Sequence, residues 1–408
     1  MQKFGKTPVL YLDNTVTFGG AINSLLYLLR ALDKSRFTPV LVTAQPEEFL
    51  RRNFNFIQWR TVRIKRSWVD NSMYKKITGR RLFSSGLGLK CVNRIRFFYW
   101  LLFITLPEAV CYWQIGRQYK VGLVHLNNIM GSQLAGILAA KMLNVPCVGH
   151  LRDFEEVDRV TRLYARFIDL HIAISGSIKD NLLRLAVPDE KIVVVHDAID
   201  LQDFDDTVSI GHLRHEFSLN DEEQLFGIFG RIVGWKGTVE FVHAAALVIA
   251  STPNTKAFIV GDCSDGDSGY LKVVKKLIAD YGLEENFILT GYRTDVPALM
   301  QLMDVIVHAS ISPEPFGMVL IEAMAMKKPV VATRMGGPLD IMLDERTGFL
   351  VSPGNAKEMA DAIERLLADK ELASDMGRDG KKRVLDMFTK ERYARQMEDV
   401  YIRLLGLG

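Results

Sequence analysis

The sequence predicts an α/β protein with two Rossmann-like domains. Short apolar segments alternate with helical segments twice along the chain, which is the mark of parallel sheets covered by helices. A polar, strand-poor stretch at residues 200–223 separates the two series. The length of 408 residues suits two or three domains, and a composition with 48% hydrophobic and 24% charged residues can form sizeable cores.

The first series begins with an apolar strand at residues 8–13, after which Gly19 and Gly20 open a helix over residues 21–32. Further strands are predicted at residues 39–43, 121–126, 146–151, 170–174 and 191–196. We therefore expect a first domain over residues 1–199.

The second series has predicted strands at residues 225–229, 256–260, 287–289, 305–308 and 329–332. Apolar residues at helical spacing follow at residues 356–367, 372–385 and 390–405. We expect a second domain over residues 200–390, and a C-terminal helix within residues 391–408 that packs back on the first domain.

Two glutamates bracket a glycine turn and an apolar helix in residues 314–322 (EPFGMVLIE). Glu314 precedes the helix and Glu322 lies inside it. A helix start offers unpaired N–H groups and a positive dipole end, which suit a phosphate. Acids beside such a site fit a ligand that also carries hydroxyls, as a nucleotide sugar does. The alternative is a capping acid followed by a solvated helix glutamate.

A glycine loop with two cations, Arg231 and Lys236, follows the strand at residues 225–229. Its sequence, FGIFGRIVGWKG at 226–237, lacks the spacing of a Walker A loop and the G-x-G-x-x-G of a dinucleotide site. Arg can still hold a diphosphate with two parallel hydrogen bonds, and Lys can act as a point charge. The alternative is two ordinary surface cations.

These features form an ordered series, which contains Gly230-Arg231, Lys236-Gly237, residues 260–262 (VGD), residues 291–293 (GYR), the two glutamates and Gly336-Gly337. The series resembles the donor domain of the retaining glycosyltransferases of family 4. The resemblance covers nearly the whole chain, and it is weakest at residues 47–120. It implies the GT-B fold, in which two Rossmann-like domains face each other across a cleft.

The resemblance also implies roles for individual residues. Arg231 and Lys236 would stabilise the departing diphosphate, Glu314 would hold the transferred sugar, and Glu322 would hold the ribose hydroxyls. The further donor-binding positions are Gly19, Gly20, Tyr292 at the base, Phe316, Gly317 and Met318. For Gly19 and Gly20, a tight turn before a helix is the alternative.

The first domain is expected to bind the acceptor. Residues 150–153 (HLRD) follow a strand, where many family members have a histidine–aspartate pair. Here Arg152 occupies the histidine position, and His150 lies two residues earlier on the same side of an extended chain. We expect a catalytic contact from His150 and acceptor contacts from Arg152 and Asp153. The alternative for His150 is a hydrogen-bonded histidine at a strand end.

No metal or other cofactor is expected, and the donor is expected to be a nucleoside-diphosphate sugar, with uridine preferred to guanosine. The spacing of Asp262, Asp265 and Asp267 could suggest a metal site, but ordinary loop residues surround them. Arg231, Lys236 and the helix amides can already neutralise a diphosphate.

The most unusual composition is that of residues 51–100, which carry thirteen Lys or Arg residues and one acid in a chain of net charge +3. Aromatic residues are interspersed, and an apolar run at 97–106 ends before Pro107. That run is short of the roughly 20 residues that a spanning helix needs. Cations mixed with aromatics predict docking of residues 51–106 on an anionic membrane surface. Nucleic acid is not expected, because no recognition module is visible. The remaining alternative is a solvated basic face over one buried helix.

The expected activity is retaining transfer of a sugar from the nucleotide sugar to a hydroxyl of a glycan or lipid-linked acceptor. Four widely spaced cysteines without a CxxC pair, and an N-terminus without a signal-peptide core, favour a cytoplasmic protein on the inner face of the membrane. The alternatives are a GT-B sugar-nucleotide epimerase and an inactive scaffold that binds glycan or membrane.

Overall fold

The computed structural model describes residues 6–14, 19–62, 86–263 and 268–407, which divide into two compact units. Unit 1 comprises Met1–Ile174, Ile178–Val195 and Ala394–Gly408. Unit 2 comprises Ser175–Ser177 and His196–Tyr393. Each unit holds one parallel sheet, so the predicted α/β class with two parallel-sheet domains is confirmed.

The sheet of unit 1 contains seven described strands: β1 Thr7–Asp13, β2 Phe37–Thr43, β3 Gln58–Thr61, β4 Leu123–Asn127, β5 Cys147–Leu151, β6 Leu170–Ala173 and β7 Ile192–Val194. Their spatial order is β3-β2-β1-β4-β5-β6-β7, and all neighbours are parallel. The direction of winding reverses between β1 and β4. In open α/β sheets, ligands bind beyond the carboxyl ends of the strands at such a switch point.

The helices of unit 1 are α1 Gly20–Ala31, α2 Glu47–Asn53, α3 Gly86–Trp100, α4 Leu106–Tyr119, α5 Leu134–Leu143, α6 Arg159–Ala165 and α7 Gly176–Arg184, whose first residues belong to unit 2. The C-terminal helix α16, Lys390–Leu405, ends in unit 1. There the Tyr401 hydroxyl lies 2.8 Å from Nδ1 of His125 and 3.1 Å from the Tyr11 hydroxyl. Glu398 accepts a hydrogen bond from the backbone N–H of Asp33 at 2.7 Å.

One continuous helix covers Asn93–Tyr119, which corrects the expectation of an apolar run too short to span a membrane. A π-helical turn, Leu101–Thr105, joins α3 to α4. In it the N–H of Leu106 bonds to the carbonyl of Leu101, so the helix continues through Pro107, which has no N–H to donate. By length and composition this is the single described helix that could cross a membrane, and one such helix is weak evidence. Only 17% of its most apolar window is buried, so the alternative of a buried helix is wrong here.

The sheet of unit 2 contains six described strands: β8 Gln224–Phe229, β9 Thr255–Val260, β10 Phe287–Gly291, β11 Val305–His308, β12 Val330–Thr333 and β13 Gly348–Val351. Their parallel order is β10-β9-β8-β11-β12-β13, so the switch point lies between β8 and β11. The helices are α8 Gly211–Glu216, α9 Thr238–Ser251, α10 Ser268–Asp280, α11 Val296–Leu302, α12 Met318–Ala325, α13 Pro338–Ile341, α14 Ala356–Ala368 and α15 Lys370–Met387.

The core of unit 2 lies where α9 and α14 pack on the sheet. Phe226, Phe241, Val248 and Ile363 are fully buried in it. Each such side chain contributes about 1.5–3 kcal/mol through burial, so the sheet is a stable platform for the loops at its carboxyl end.

Candidate functional site

The loops after β8 and β11 meet at the switch point of unit 2. Gly237 has φ +73°, and a Cβ on it would lie 1.8 Å from the carbonyl oxygen of Ala309. Glycine therefore permits the start of α9 to pack directly on the chain that leaves β11. The N–H of Ile311 also donates to the Trp235 carbonyl at 2.9 Å. This close packing brings Lys236 next to Glu314 in the loop that follows β11.

Lys236 and Glu314 form a largely buried ion pair, with Nζ 2.5 Å from Oε2. The same carboxylate oxygen lies 3.3 Å from Nε2 of His308 and 3.3 Å from Oγ of Ser310. Burial alone would raise the pKa of Glu314, but the charge of Lys236 and the hydrogen bond from His308 outweigh it and lower the pKa to about 2. Glu314 is therefore a carboxylate held ready to accept hydrogen bonds.

A second glycine turn holds the backbone around Glu314. The N–H of Gly337 donates to the Glu314 carbonyl at 2.8 Å. A Cβ on Gly336 would lie 2.4 Å from that carbonyl oxygen, and a Cβ on Gly337 would lie 2.0 Å from the carbonyl oxygen of Phe316. Residues 336–337 thus act as support for the turn at residues 314–317.

That turn delivers the start of α12. Gly317, at φ +107°, precedes the helix and no side chain caps it. Phe316 is buried, its ring stacks on His196 with centroids 6.0 Å apart, and Ser175 donates to the Pro315 carbonyl at 2.6 Å. The uncapped helix start is consequently both rigid and available to an anion.

Glu322 lies one turn into α12, and its electrostatic environment differs from that of Glu314. Burial raises the pKa of Glu322 to about 7, against a smaller opposing effect of Lys236. A carboxyl group poised near neutral pH can take the proton state that a bound hydroxyl requires.

Arg231 and Tyr292 lie at the carboxyl ends of β8 and β10. Arg231 is exposed and forms no ion pair within the described part of the chain. Tyr292 is 68% exposed. The two strands are separated by β9 alone, and so lie about 10 Å apart. Both side chains are therefore available to a ligand that extends along this edge of the sheet.

In unit 1, His150 and Arg152 share one side of the chain at the end of β5, and both are buried. Nδ1 of His150 lies 3.2 Å from Nε2 of His125. Arg152 donates through Nε to Asn127 at 2.6 Å, and Asn127 donates to Asp13 at 3.0 Å. Burial first, and then the charge of Arg152, hold the pKa of His150 well below its usual range, so the ring is neutral. Asp153 is exposed.

The structure places Gly19 and Gly20 at the start of α1, where both are exposed. A Cβ on Gly19 would meet no atom within 4 Å, so open space lies beside this backbone. Residues 15–18, which precede the pair, lie outside the described part of the chain.

His308, Ser310 and Ser175 belong to the site and were not predicted. The signal was present for the first two, since they follow the apolar strand residues 305–307 at a carboxyl end. Of the aspartates considered for a metal, Asp265 and Asp267 lie outside the described residues. Within the residues described, no group of three His, Cys, Asp or Glu side chains could hold a metal ion.

Comparison with family models is decisive for classification. The model described as "Glycosyl transferases group 1" matches residues 210–383, and the model described as "Glycosyltransferase Family 4" matches residues 18–203. The chain belongs to glycosyltransferase family 4. The resemblance noted in the sequence is confirmed.

The alignments with curated relatives cover only part of each relative's length. The capsular polysaccharide biosynthesis glycosyltransferase CapM of Staphylococcus aureus is 29% identical over 240 residues, which cover 56% of this chain and 60% of CapM. The N-acetyl-alpha-D-glucosaminyl L-malate synthase of Bacillus anthracis is 26% identical over 237 residues, covering 58% of this chain and 60% of the relative. The chain thus matches about 60% of the length of these proteins.

Solved structures agree in fold over almost the whole chain. A glycosyltransferase from Rickettsia africae ESF-5 superposes with a TM-score of 0.81 at 21% identity, covering 98% of this chain and 99% of that one. Anabaena Alr3699/HepE, in complex with UDP and glucose, superposes with a TM-score of 0.78 at 23% identity, covering 96% and 98%. The GT-B fold is therefore confirmed.

Proposed function

We propose that this protein is a retaining glycosyltransferase that moves a sugar from a nucleoside-diphosphate sugar to a hydroxyl of a glycan or lipid-linked acceptor. The observation that carries the proposal is the cluster of Lys236, Glu314 and the uncapped start of α12 at the switch point of unit 2. A uridine-diphosphate donor is favoured because the fold neighbour from Anabaena is seen with UDP and glucose.

The donor's diphosphate is expected to lie over the start of α12, where the first N–H groups and the positive end of the helix dipole favour an anion. Arg231 is exposed and can grip a phosphate with two parallel hydrogen bonds. Lys236 lies beside the same turn and supplies a second positive charge. Together they stabilise the charge that develops on the leaving diphosphate, which needs no metal.

The two glutamates are proposed to bind the donor's hydroxyls. Glu314 is ionised and already accepts hydrogen bonds from Lys236 and His308, so it can receive hydrogen bonds from the transferred sugar. Glu322 lies one turn into α12, where the matching family position binds ribose. Tyr292 at the end of β10 is proposed to contact the base.

The proposed chemistry takes place on one face of the sugar. The bond from C1 to the β-phosphate oxygen breaks as the acceptor oxygen bonds to C1 from the same side. The acceptor's proton passes to the leaving phosphate, which keeps charge and atoms in balance. His150 is neutral and buried, so we propose that it positions Arg152, with Arg152 and Asp153 on the acceptor side.

A panel of nucleotide sugars tests the proposal by thermal shift, since a ligand that binds only the folded state raises its melting temperature. The stabilising donor is then incubated with and without acceptors, and the anomeric configuration of the product is read by NMR. A product with the donor's configuration supports the proposal. Inverted product contradicts retention, and an epimerised nucleotide sugar from donor alone would indicate the epimerase. Activity that EDTA abolishes and added divalent ion restores would contradict metal independence.

Peripheral membrane association is part of the same proposal. Its support is the basic composition of residues 51–100 and the apolar exposure of the helix Asn93–Tyr119. Many of the cations, from Arg63 to Arg81, lie outside the described residues. Sedimentation with vesicles tests it: binding should require anionic lipid and weaken with salt, because screening shortens the range of the attraction.

A further inference from the structure

Unit 1 contains a cavity of about 750 Å³ at its own switch point. This volume falls within the range of small-molecule sites, about 300–1,000 Å³. Asn14 follows β1 and Asn128 follows β4, so both strands that flank the reversal contribute to its wall. Gln133 and Asp153 add further polar groups to this side. This wall can exchange hydrogen bonds with hydroxyls. Among its described lining residues the one charged group is Asp153, an acid, which disfavours an anionic headgroup.

A second part of the wall is largely apolar and comes from the helix Asn93–Tyr119. Phe97, Trp100, Leu101 and Ile104 line the cavity at helical spacing, and Glu108 follows one turn later. Burial raises the pKa of Glu108 above its ordinary value, and the oxygens of its carboxyl group can accept hydrogen bonds at this end of the wall. The cavity is therefore apolar along one side and rich in hydrogen-bonding groups on the other.

The same helix carries a second apolar face that is exposed. Ile95 is 71% exposed, Phe98 57%, Leu102 52% and Phe103 66%, again at helical spacing. Below them the helix is anchored to unit 1, because a Cβ on Gly116 would lie 2.5 Å from Leu143 of α5. One helix thus presents one apolar face to the cavity and the other to the surroundings, and it remains packed on its domain.

We propose that this cavity binds the acceptor as an amphiphile, a lipid-linked glycan whose saccharide meets the polar wall and whose hydrocarbon chain lies along Phe97, Leu101 and Ile104. The exposed face of the helix rests in the headgroup region of an anionic membrane, from which the acceptor enters. That the ligand is the acceptor rests on the proposed glycosyl transfer. That the ligand is an amphiphile rests on the cavity alone.

Charge and geometry favour a lipid over a protein on the exposed face. Residues 51–92, which precede the helix, carry eleven cations and one acid, and the helix itself carries Arg94 and Arg96 near its start, so an anionic surface attracts this region. Aromatic side chains at 97–100 suit the headgroup level of a bilayer. A helix that is apolar towards the cavity and also towards the surroundings matches a ligand that is itself half apolar.

Two neighbouring residues make a matched test, because Leu101 lines the cavity and Leu102 lies on the exposed face. Leu101→Gln and Leu102→Gln introduce the same group on opposite sides of one helix. The probe is decyl maltoside below its critical micelle concentration, measured by calorimetry against maltose. Vesicle binding is measured separately with phosphatidylglycerol mixed into phosphatidylethanolamine.

We expect decyl maltoside to bind and maltose to bind far more weakly. Leu101→Gln should weaken decyl maltoside by roughly tenfold or more, the scale of a buried polar group left without a partner, and should leave vesicle binding unchanged. Leu102→Gln should weaken vesicle binding and leave the affinity for decyl maltoside unchanged. Gly131→Trp is a second cavity variant, since a Cβ there meets nothing within 4 Å, and it should block the probe by filling space.

Equal loss of decyl maltoside in both glutamine variants, equal affinity for maltose and decyl maltoside, or unchanged binding in Gly131→Trp would overturn the proposal. If Leu101→Gln fails to fold, Gly131→Trp decides. Binding of UDP-sugar is measured on the same samples. If the probe binds and the donor does not, the cavity remains an amphiphile site and the proposed transfer is rejected. If the donor binds and the probe does not, the proposed transfer remains and the amphiphile site is rejected.

Discussion

The two units reverse their strand order in the same way, yet their switch points differ in chemistry. In unit 2 the reversal between β8 and β11 is surrounded by Arg231, Lys236 and the start of a helix, with Glu314 ion-paired to the lysine. In unit 1 the reversal between β1 and β4 opens on neutral amides and an apolar helix wall. We therefore propose that the same topology supplies one place for a diphosphate and another for a hydroxylated, partly apolar molecule.

The comparison also separates the two networks of buried polar residues. Lys236 and Glu314 pair a cation with an acid at the switch point of unit 2. In unit 1, Arg152 is hydrogen-bonded to Asn127 and Asn127 to Asp13, at the carboxyl ends of β4 and β1. We propose that the first network exchanges a partner for a ligand, whereas the second holds Arg152 in a fixed position on the acceptor side.

Removing a cation from unit 2 should have the largest effect on activity. Arg231→Ala and Lys236→Ala should each lower kcat by about a hundredfold or more, the scale for loss of one preorganised charge stabiliser. Steady-state kinetics with the donor found in the nucleotide-sugar panel measure this. Lys272→Ala, on the exposed surface of α10, is the control and should behave as wild type. Normal kcat in either variant would remove that residue from the diphosphate site.

Changing Glu314 should affect both turnover and acid stability. Glu314→Gln keeps the size but removes the charge next to Lys236, and we expect kcat to fall more than donor affinity. The pKa of Glu314 is lowered from 4.5 to about 2, so its contribution to stability is complete above pH 4.5 and lost as pH falls towards 2. Urea unfolding at several pH values should show this loss in wild type and not in Glu314→Gln. Identical acid profiles would contradict the ion pair.

Glu322 should make donor binding pH-dependent. Its pKa is about 7 without ligand, and a carboxylate accepts hydrogen bonds from ribose hydroxyls better than a protonated acid does. Donor affinity should therefore rise by several-fold between pH 6 and pH 8, by the linkage of binding to ionisation. Calorimetry with a uridine-diphosphate sugar measures it, because its diphosphate does not titrate in this range. Glu322→Gln should bind more weakly and with no pH dependence; a retained slope would exclude Glu322 as its cause.

The last prediction concerns Glu155 in unit 1, where a substitution should change the stability of the protein rather than donor binding. This buried acid accepts hydrogen bonds from the backbone beside the cavity at Met130, and burial raises its pKa from 4.5 to about 7. The folded state then holds the proton more tightly than the unfolded chain, so stability is lost as pH rises from 4.5 to about 7. Glu155→Gln should be more stable than wild type at pH 8 by on the order of 1–3 kcal/mol, and equal at pH 4. Unchanged stability at pH 8 would show that Glu155 is not desolvated.

The sequence predicted most of the strands that have apolar residues on both faces, because such strands appear as short apolar runs between turns. It missed β3, whose residues Gln58–Thr61 are mostly exposed at the sheet edge and include Arg60, and it missed the short β13. The helix Asn93–Tyr119 was underestimated because Pro107 suggests an end, whereas a π turn accommodates it.

For the site, residue types and spacing identified Lys236 and Glu314 but could not show that they form a pair. They lie 78 residues apart, and the contact depends on Gly237 packing against the chain after β11. His308 and Ser310 lie at a strand end that the sequence did predict, but their contact with Glu314 could not be predicted, because it depends on where Glu314 folds back. The cavity of unit 1 was beyond sequence reasoning, because strand ends and a helix far apart in the chain together form its walls.

The most direct test of the difference between the two switch points is a crystal structure of the protein with UDP. The diphosphate should lie over the start of α12 and contact Arg231 and Lys236, while the cavity beside Asn14 and Asn128 holds no nucleotide. A diphosphate bound in that cavity, or one bound in unit 2 without contact to Arg231, Lys236 or the helix start, would contradict the account.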